Sequence, residues 1–184
     1  GTNSFIYHHV VHQTTALVLD QVAAGSIDIP GAHHDWTFSL PAARFVWFDV
    51  LTNANGARWS LRRGPVDLVT DRGFTASDSI DIGDSSLRLT AGDYVLSVSL
   101  GLQNTGPYAF RLVSPDSAVP FTAGSLVTTP IDLPTGTRLR SFAGTAGDHF
   151  YFDGQGLTPT GGGNGTARFY SPSGAIVFSR YMSD

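Results

Sequence analysis

The chain has 184 residues, 41% hydrophobic and only 14% charged, with a formal net charge of −4 and no cysteine. That composition excludes a disulfide framework and a cysteine-ligated zinc site, and a mildly acidic chain without a basic run has no electrostatic footprint for nucleic acid or an anionic membrane surface. No apolar run approaches the ~18 residues that span a bilayer, so membrane insertion is not expected, while 12 Phe, 6 Tyr and 3 Trp provide large surfaces for packed cores.

Read from the N-terminus, residues 1–13 carry Tyr7-His8-His9-Val10-Val11, which resembles Tyr108 to Leu112 further on and reads as the last strand of a preceding unit. Thr15 to Ala24 is the best helical candidate, yet its flanking residues and short length predict a connector or one turn at most. After the turn at Pro30-Gly31, Asp35 to Leu40 alternates polar and apolar residues, the period of a half-buried strand. Phe45-Val46-Trp47-Phe48 is a continuous apolar run, more like a strand covered on both sides. Asn53 to Gly56 and Gly64-Pro65 are turns, and Thr70 to Ser86 is loop-like. Alternation returns at Ser86 to Thr90, Asp93 to Leu100 and Pro107 to Leu112. Short strands at such spacing indicate a sandwich or barrel.

The chain then repeats itself. Ile27 to Asp49 aligns without a gap on Ile131 to Asp153, 104 positions later, with identities at Ile27/Ile131, Asp28/Asp132, Pro30/Pro134, Phe38/Phe142, Ala42/Ala146, Phe48/Phe152 and Asp49/Asp153. Unrelated segments of that length would share roughly one or two, so the pattern predicts a tandem array of one supersecondary unit. The expected fold is all-β: tandem antiparallel β-sandwich units of jelly-roll or Ig-like type, one at 14–113 and a second, truncated one at 114–184. The second copy has no counterpart of Ser86 to Val113. It is therefore expected to be completed by strand pairing, with Phe5 to Val11 as the candidate strand and a homo-oligomer as one outcome. Phe48 and Phe152 are expected on equivalent strands.

Gly25 to Gly31, Asp35 to Phe38, Phe45 to Asp49, Trp59 to Leu61, Leu89 to Val98 and Gly106 to Leu112 together resemble the bacterial pre-peptidase C-terminal (PPC) domain. The resemblance covers nearly all of the first unit and the start of the second. It implies a sandwich appended to secreted hydrolases or arrayed in surface proteins. It also implies a non-catalytic role outside the cell, with calcium, collagen or polysaccharide among the ligands that members take.

Calcium needs several converging oxygens, two or three of them carboxylates. Asp71, Asp78, Asp81 and Asp84 lie within one loop-like stretch, and Asp49 with Asn53 and Asn55 forms a second group. No EF-hand or glycine-rich nonapeptide spacing is present, and Asp and Asn are also ordinary turn formers. Trp59, between Arg58 and Ser60, is the tryptophan whose ring could face a sugar or the core. No Gly-x-Ser-x-Gly elbow or cysteine nucleophile supports catalysis. The expected protein is a non-enzymatic extracellular or cell-surface binding or spacer module, calcium being its one candidate cofactor and an extracellular protein or polysaccharide its partner. The alternative is an accessory part of a secreted hydrolase whose catalytic domain lies elsewhere.

Overall fold

The computed structural model describes residues 1–2, 4, 9–10, 12–52, 56–78, 84–129, 136–155 and 165–182. Among these the regular elements are strands, with two single 3-10 turns at Phe74–Ala76 and Pro115–Ser117. The first nine strands are β1 (Gln13–Ala16), β2 (Ala23–Ile27), β3 (His33–Leu40), β4 (Arg44–Val50), β5 (Arg58–Arg63), β6 (Val66–Gly73), β7 (Ser86–Leu89), β8 (Gly92–Ser99) and β9 (Gly106–Val113).

They make two sheets, ordered β1-β3-β8-β5-β6 and β2-β9-β4-β7. Alternation sets what each sheet buries: His34, Trp36, Phe38 and Leu40 on β3, Tyr94, Leu96 and Val98 on β8, and Tyr108, Phe110 and Leu112 on β9 all point to one core. Aromatic rings join the two layers. Phe48 of β4 stacks on Trp59 of β5 with centroids 4.1 Å apart, and Trp36 meets Phe110 edge-on at 5.8 Å. The result is a β-sandwich, as the period-two pattern predicts.

Thr15 to Ala24 is a connector without a helical turn, its ends belonging to β1 and β2. One expectation changes. The β1–β3 pair is parallel, not antiparallel, because β2 lies in the opposite sheet and carries the chain across and back before β3 begins.

Among the described residues of 119–182 there are two two-stranded sheets, β10 (Val119–Pro120) with β11 (Arg140–Ser141), and β12 (Gly165–Tyr170) with β13 (Ile176–Met182). The 104-residue repeat is visible in their register. The parallel bridge Thr15↔Trp36 recurs as Val119↔Arg140, and Ala16↔Thr37 as Pro120↔Ser141. The bond from Leu17 N–H to Thr37 O recurs from Phe121 to Ser141, both 2.8 Å, and the turn bond Gln21 to Val18 recurs as Ser125 to Thr122. Asp20 and Gly124 both have positive φ, 66° and 84°.

Beyond these the copies part. Phe48 is buried in β4, whereas Phe152 is 48% exposed and lies on no strand. The expected equivalence of those two residues is therefore corrected. The reason is pairing: β4 is held by β7 and β9, and among the described residues no strand pairs with 148–152. Residues 130–135 of the second copy, and residues 5–8 and 11 of the expected N-terminal strand, lie outside the described residues.

Candidate functional site

One residue from each acidic group singled out in the sequence, Asp49 and Asp78, lies at the C-terminal end of β4. Asp49 is fully buried on the outer face of the four-stranded sheet, where β4 and β9 run side by side. Its Oδ2 accepts from Arg111 Nε at 2.8 Å and from the same guanidinium's second nitrogen, a forked arrangement that suits a carboxylate. Its Oδ1 accepts the Thr137 N–H at 2.7 Å, and Arg111 also donates to the Thr137 carbonyl at 3.1 Å. A buried charge is tolerated only when paired and hydrogen-bonded. Asp49 has both, and it clasps the start of the second copy to the first.

At the next residue of β4, Asp78 Oδ2 accepts the Val50 N–H at 2.8 Å. Burial, with the nearby charge of Asp49 adding to it, pushes the Asp78 carboxyl up to about 6; the Val50 bond and Arg168 act against the shift. Arg168 donates to the Asp78 carbonyl at 3.3 Å and to Ser85 Oγ at 3.0 Å, so this corner also ties β12 to the sandwich.

Of the other described candidates, Asp71 and Asp84 do not join them. Asp71 pairs with Arg58 at 2.7 Å on the exposed β5–β6 hairpin. Asp84 closes a local turn by accepting from Ser86 N–H at 3.0 Å and Ser86 Oγ at 2.7 Å, the ordinary behaviour of aspartate in a loop. Asp81, Asn53 and Asn55 lie outside the described residues. Among the described residues, no group of three or more His, Asp or Glu side chains could hold a metal ion. Trp59 is 1% exposed, stacked on Phe48, with its Nε1 donating to Ser77 Oγ at 2.7 Å. It is a core residue and presents no face to a sugar, which corrects the ligand-binding expectation.

Three polar residues besides the candidates above, His34, Trp36 and Tyr108, lie deep in the sandwich. Trp36 Nε1 donates to Tyr108 Oη at 2.9 Å, Tyr108 Oη lies 2.7 Å from His34 Nδ1, and His34 Nε2 lies 2.7 Å from Thr15 Oγ1. An indole can only donate. With Tyr108 donating onward to Nδ1, the imidazole proton sits on Nε2 and every donor finds an acceptor. Burial lowers the pKa of His34 and pushes that of Tyr108 up to about 12. Gly25 completes the arrangement: a Cβ there would stand 2.7 Å from Tyr108 Oη. The signal for His34 was available, since it falls on the buried register of a strand whose other inward residues are apolar.

A cleft of about 110 Å³ opens where the copies meet, between Asp20, Arg111, Ser117, Thr137 and Arg138. Small-molecule pockets usually run from about 300 Å³ upward.

No family profile and no curated protein sequence matches this chain. Among solved structures, it is similar to the pre-peptidase C-terminal domain of a Bacillus anthracis collagenase (17% identity, TM-score 0.40), over 58% of this chain and 98% of that one. It is also similar to PliG, a periplasmic inhibitor of g-type lysozyme, from Aeromonas hydrophila (12% identity, TM-score 0.40, 55% of this chain and 96% of that one). The Salmonella Typhimurium PliG gives 13% identity and a TM-score of 0.39, over 54% of this chain and 98% of that one. No helix among the described residues is long and apolar enough to cross a membrane.

Proposed function

We propose that the protein is a non-catalytic binding or spacing module of an extracellular or cell-surface bacterial protein, of the kind its sequence resembles. The observation that carries this reading is the repeat: one unit recurs at a fixed register, and the second copy is fastened to the first through Asp49, Arg111 and Thr137. Units joined in this way set distances between the things they carry. The Asp49–Arg111 pair and the His34–Tyr108–Trp36 chain are buried and hold structure together.

Retention on immobilised collagen, gelatin and insoluble polysaccharides tests the proposal. Binding to one of them without release of soluble fragments supports it; hydrolysis of any of them overturns it. Calcium is proposed as a stabiliser of the 71–84 segment, on the strength of its four aspartates in the sequence. A single ion present at 100 times its dissociation constant would add about 2.7 kcal/mol. A thermal melt raised by millimolar calcium supports that role, and one unchanged by calcium or chelator assigns the carboxylates to the turns and clasps described above.

A further inference from the structure

β1 is the edge strand of its sheet, and little in its own sequence holds it there. All four residues of Gln13–Ala16 are exposed, and the strand is in register with β3 over just those four. The nearest apolar anchors flank it: Val10 packs partly against the core, and Leu17 is 7% exposed. Successive side chains of a strand point to opposite faces, so the adjacent histidines of β3 part company. His34 is buried in the core and His33 stands on the outer face.

Each histidine meets the β1 segment on its own side. Inside, Thr15 Oγ1 lies 2.7 Å from His34 Nε2. That nitrogen carries its proton whether the ring is neutral or charged, so this contact fixes the register of β1 without sensing acid. Outside, the His12 ring, one residue before β1, stacks on His33 with centroids 3.5 Å apart and planes 19° from parallel. His12 Nδ1 also accepts the His33 N–H at 3.4 Å. This second contact needs neutral rings. Nδ1 accepts only while it carries no proton, and two imidazolium rings at that separation repel.

We propose that the His12–His33 stack is an acid-sensitive latch on β1, whose protonation frees Gln13–Ala16 from β3 and bares the β3 edge. Leu17 is the pivot, held by its burial and by its N–H bond to Thr37 O at 2.8 Å. Beyond it, Asp20 is fixed by Ser114 through two bonds of 2.7 Å, so the release stops there. The freed edge is that of an eight-residue strand, a row of backbone donors and acceptors open to pairing.

The surroundings of His33 favour the neutral ring. Burial lowers its pKa; Asp35, 3.7 Å from Nε2, acts against the shift, and His12 and Arg62 add to it. Asp35 is itself shared, accepting from Ser97 Oγ of β8 and lying 3.8 Å from Arg62 of β5. Arg58, in the same cross-strand row as His33 and Ser99, is paired with Asp71. The hold is therefore full above pH 6.5, the ordinary value, and is lost as the pH falls through the lowered one.

Hydrogen exchange of the full chain at pH 8 and pH 5, each rate divided by the intrinsic rate at that pH, reads the opening of β1. A histidine of pKa 6.5 that is protonated only with the strand off raises the opening constant by up to about 30-fold at pH 5. Protection of the paired amides of Gln13–Ala16 should fall at least about tenfold. In His12→Phe/His33→Phe, which keeps two stacked rings and removes their titration, it should fall less than about threefold, with Trp59 emission unchanged. In the parent, the His12 and His33 ring protons and the Thr14 and Ala16 amides should shift with one midpoint in an NMR titration. Equal protection at both pH values, an equal fall in the double variant, or separate midpoints would overturn the latch. So would a fall that β8 matches, which would mean that acid loosens the whole sandwich.

Discussion

Tyr108 is the residue on which the sandwich interior turns. Replacing it with Phe keeps the ring and removes the oxygen, leaving the Trp36 indole N–H and His34 Nδ1 without their partner. A buried polar group left unsatisfied costs about 1–3 kcal/mol, so Tyr108→Phe is expected to lower stability by that amount in a urea melt. A loss below about 0.5 kcal/mol, the size of an ordinary surface change, would contradict the network. Asp78 acts in the opposite sense to His34. Its carboxyl holds a proton in the native state where the unfolded chain has already lost it, so its contribution is full below pH 3.8 and is lost as the pH rises through about 6. His34 is held neutral where the unfolded ring, at 6.5, would be protonated; its contribution is full above pH 6.5 and is lost as the pH falls. Asp78→Asn keeps an oxygen for the Val50 N–H and removes the first effect. It should raise stability by about 1–2 kcal/mol at pH 7 and change nothing below pH 4. Equal stability of the two proteins at both pH values would show that Asp78 is solvated.

At the scale of elements, the β12–β13 hairpin rests on the outer face of β4 and β7 through one contact that tolerates no added atom. Gly174, at φ +78°, sits so close to Phe45 that a Cβ would lie 2.1 Å from the ring. Gly174→Ala adds both that clash and a strained backbone, a penalty of more than about 1 kcal/mol. The hairpin should lift from the sheet, with faster proteolysis at 171–175 and a red shift of Trp47 emission. Unchanged cleavage would mean that the hairpin is held elsewhere. Much of the element inventory was legible beforehand. β3, β8 and β9 each alternate over six or more residues, and that pattern survives any tertiary context that covers one face. The β1–β3 pairing was not legible, because its direction depends on β2 crossing to the other sheet. Trp59 was ambiguous because Arg58 and Ser60 flank it; Phe48 and Ser77, both remote in sequence, decide its face. The clasp joins Asp49 to Arg111, 62 residues apart, and Thr137 beyond that. Its only local trace is Asp49 and Arg111, each next to a run of apolar residues, Phe45 to Phe48 and Tyr108 to Phe110.

For the molecule as a whole, the copies share a pattern and differ in what surrounds it. Identical residues, Phe48 and Phe152 above all, are core in one copy and half-exposed in the other. A side chain contributes its roughly 1.5–3 kcal/mol only when something covers it. Local opening should therefore cost far less free energy in the second copy than in the first, because opening costs track buried contacts and backbone pairing. Native-state hydrogen exchange measures this directly. Amides of β3, β5, β8 and β9 are expected to exchange only with global unfolding. Those of β12 and β13, paired with each other and docked on one face, should exchange at an intermediate cost. Amides of 148–155, which belong to no strand, should exchange fastest. In denaturant the same ordering predicts two steps, the first lost at low urea without change in the Trp36 and Trp59 signals and the second cooperative. A single transition in which 148–155 and β8 gain exchange together would show the two copies to be one cooperative unit, with the Asp49–Arg111–Thr137 clasp strong enough to carry stability from the closed sandwich into the open one.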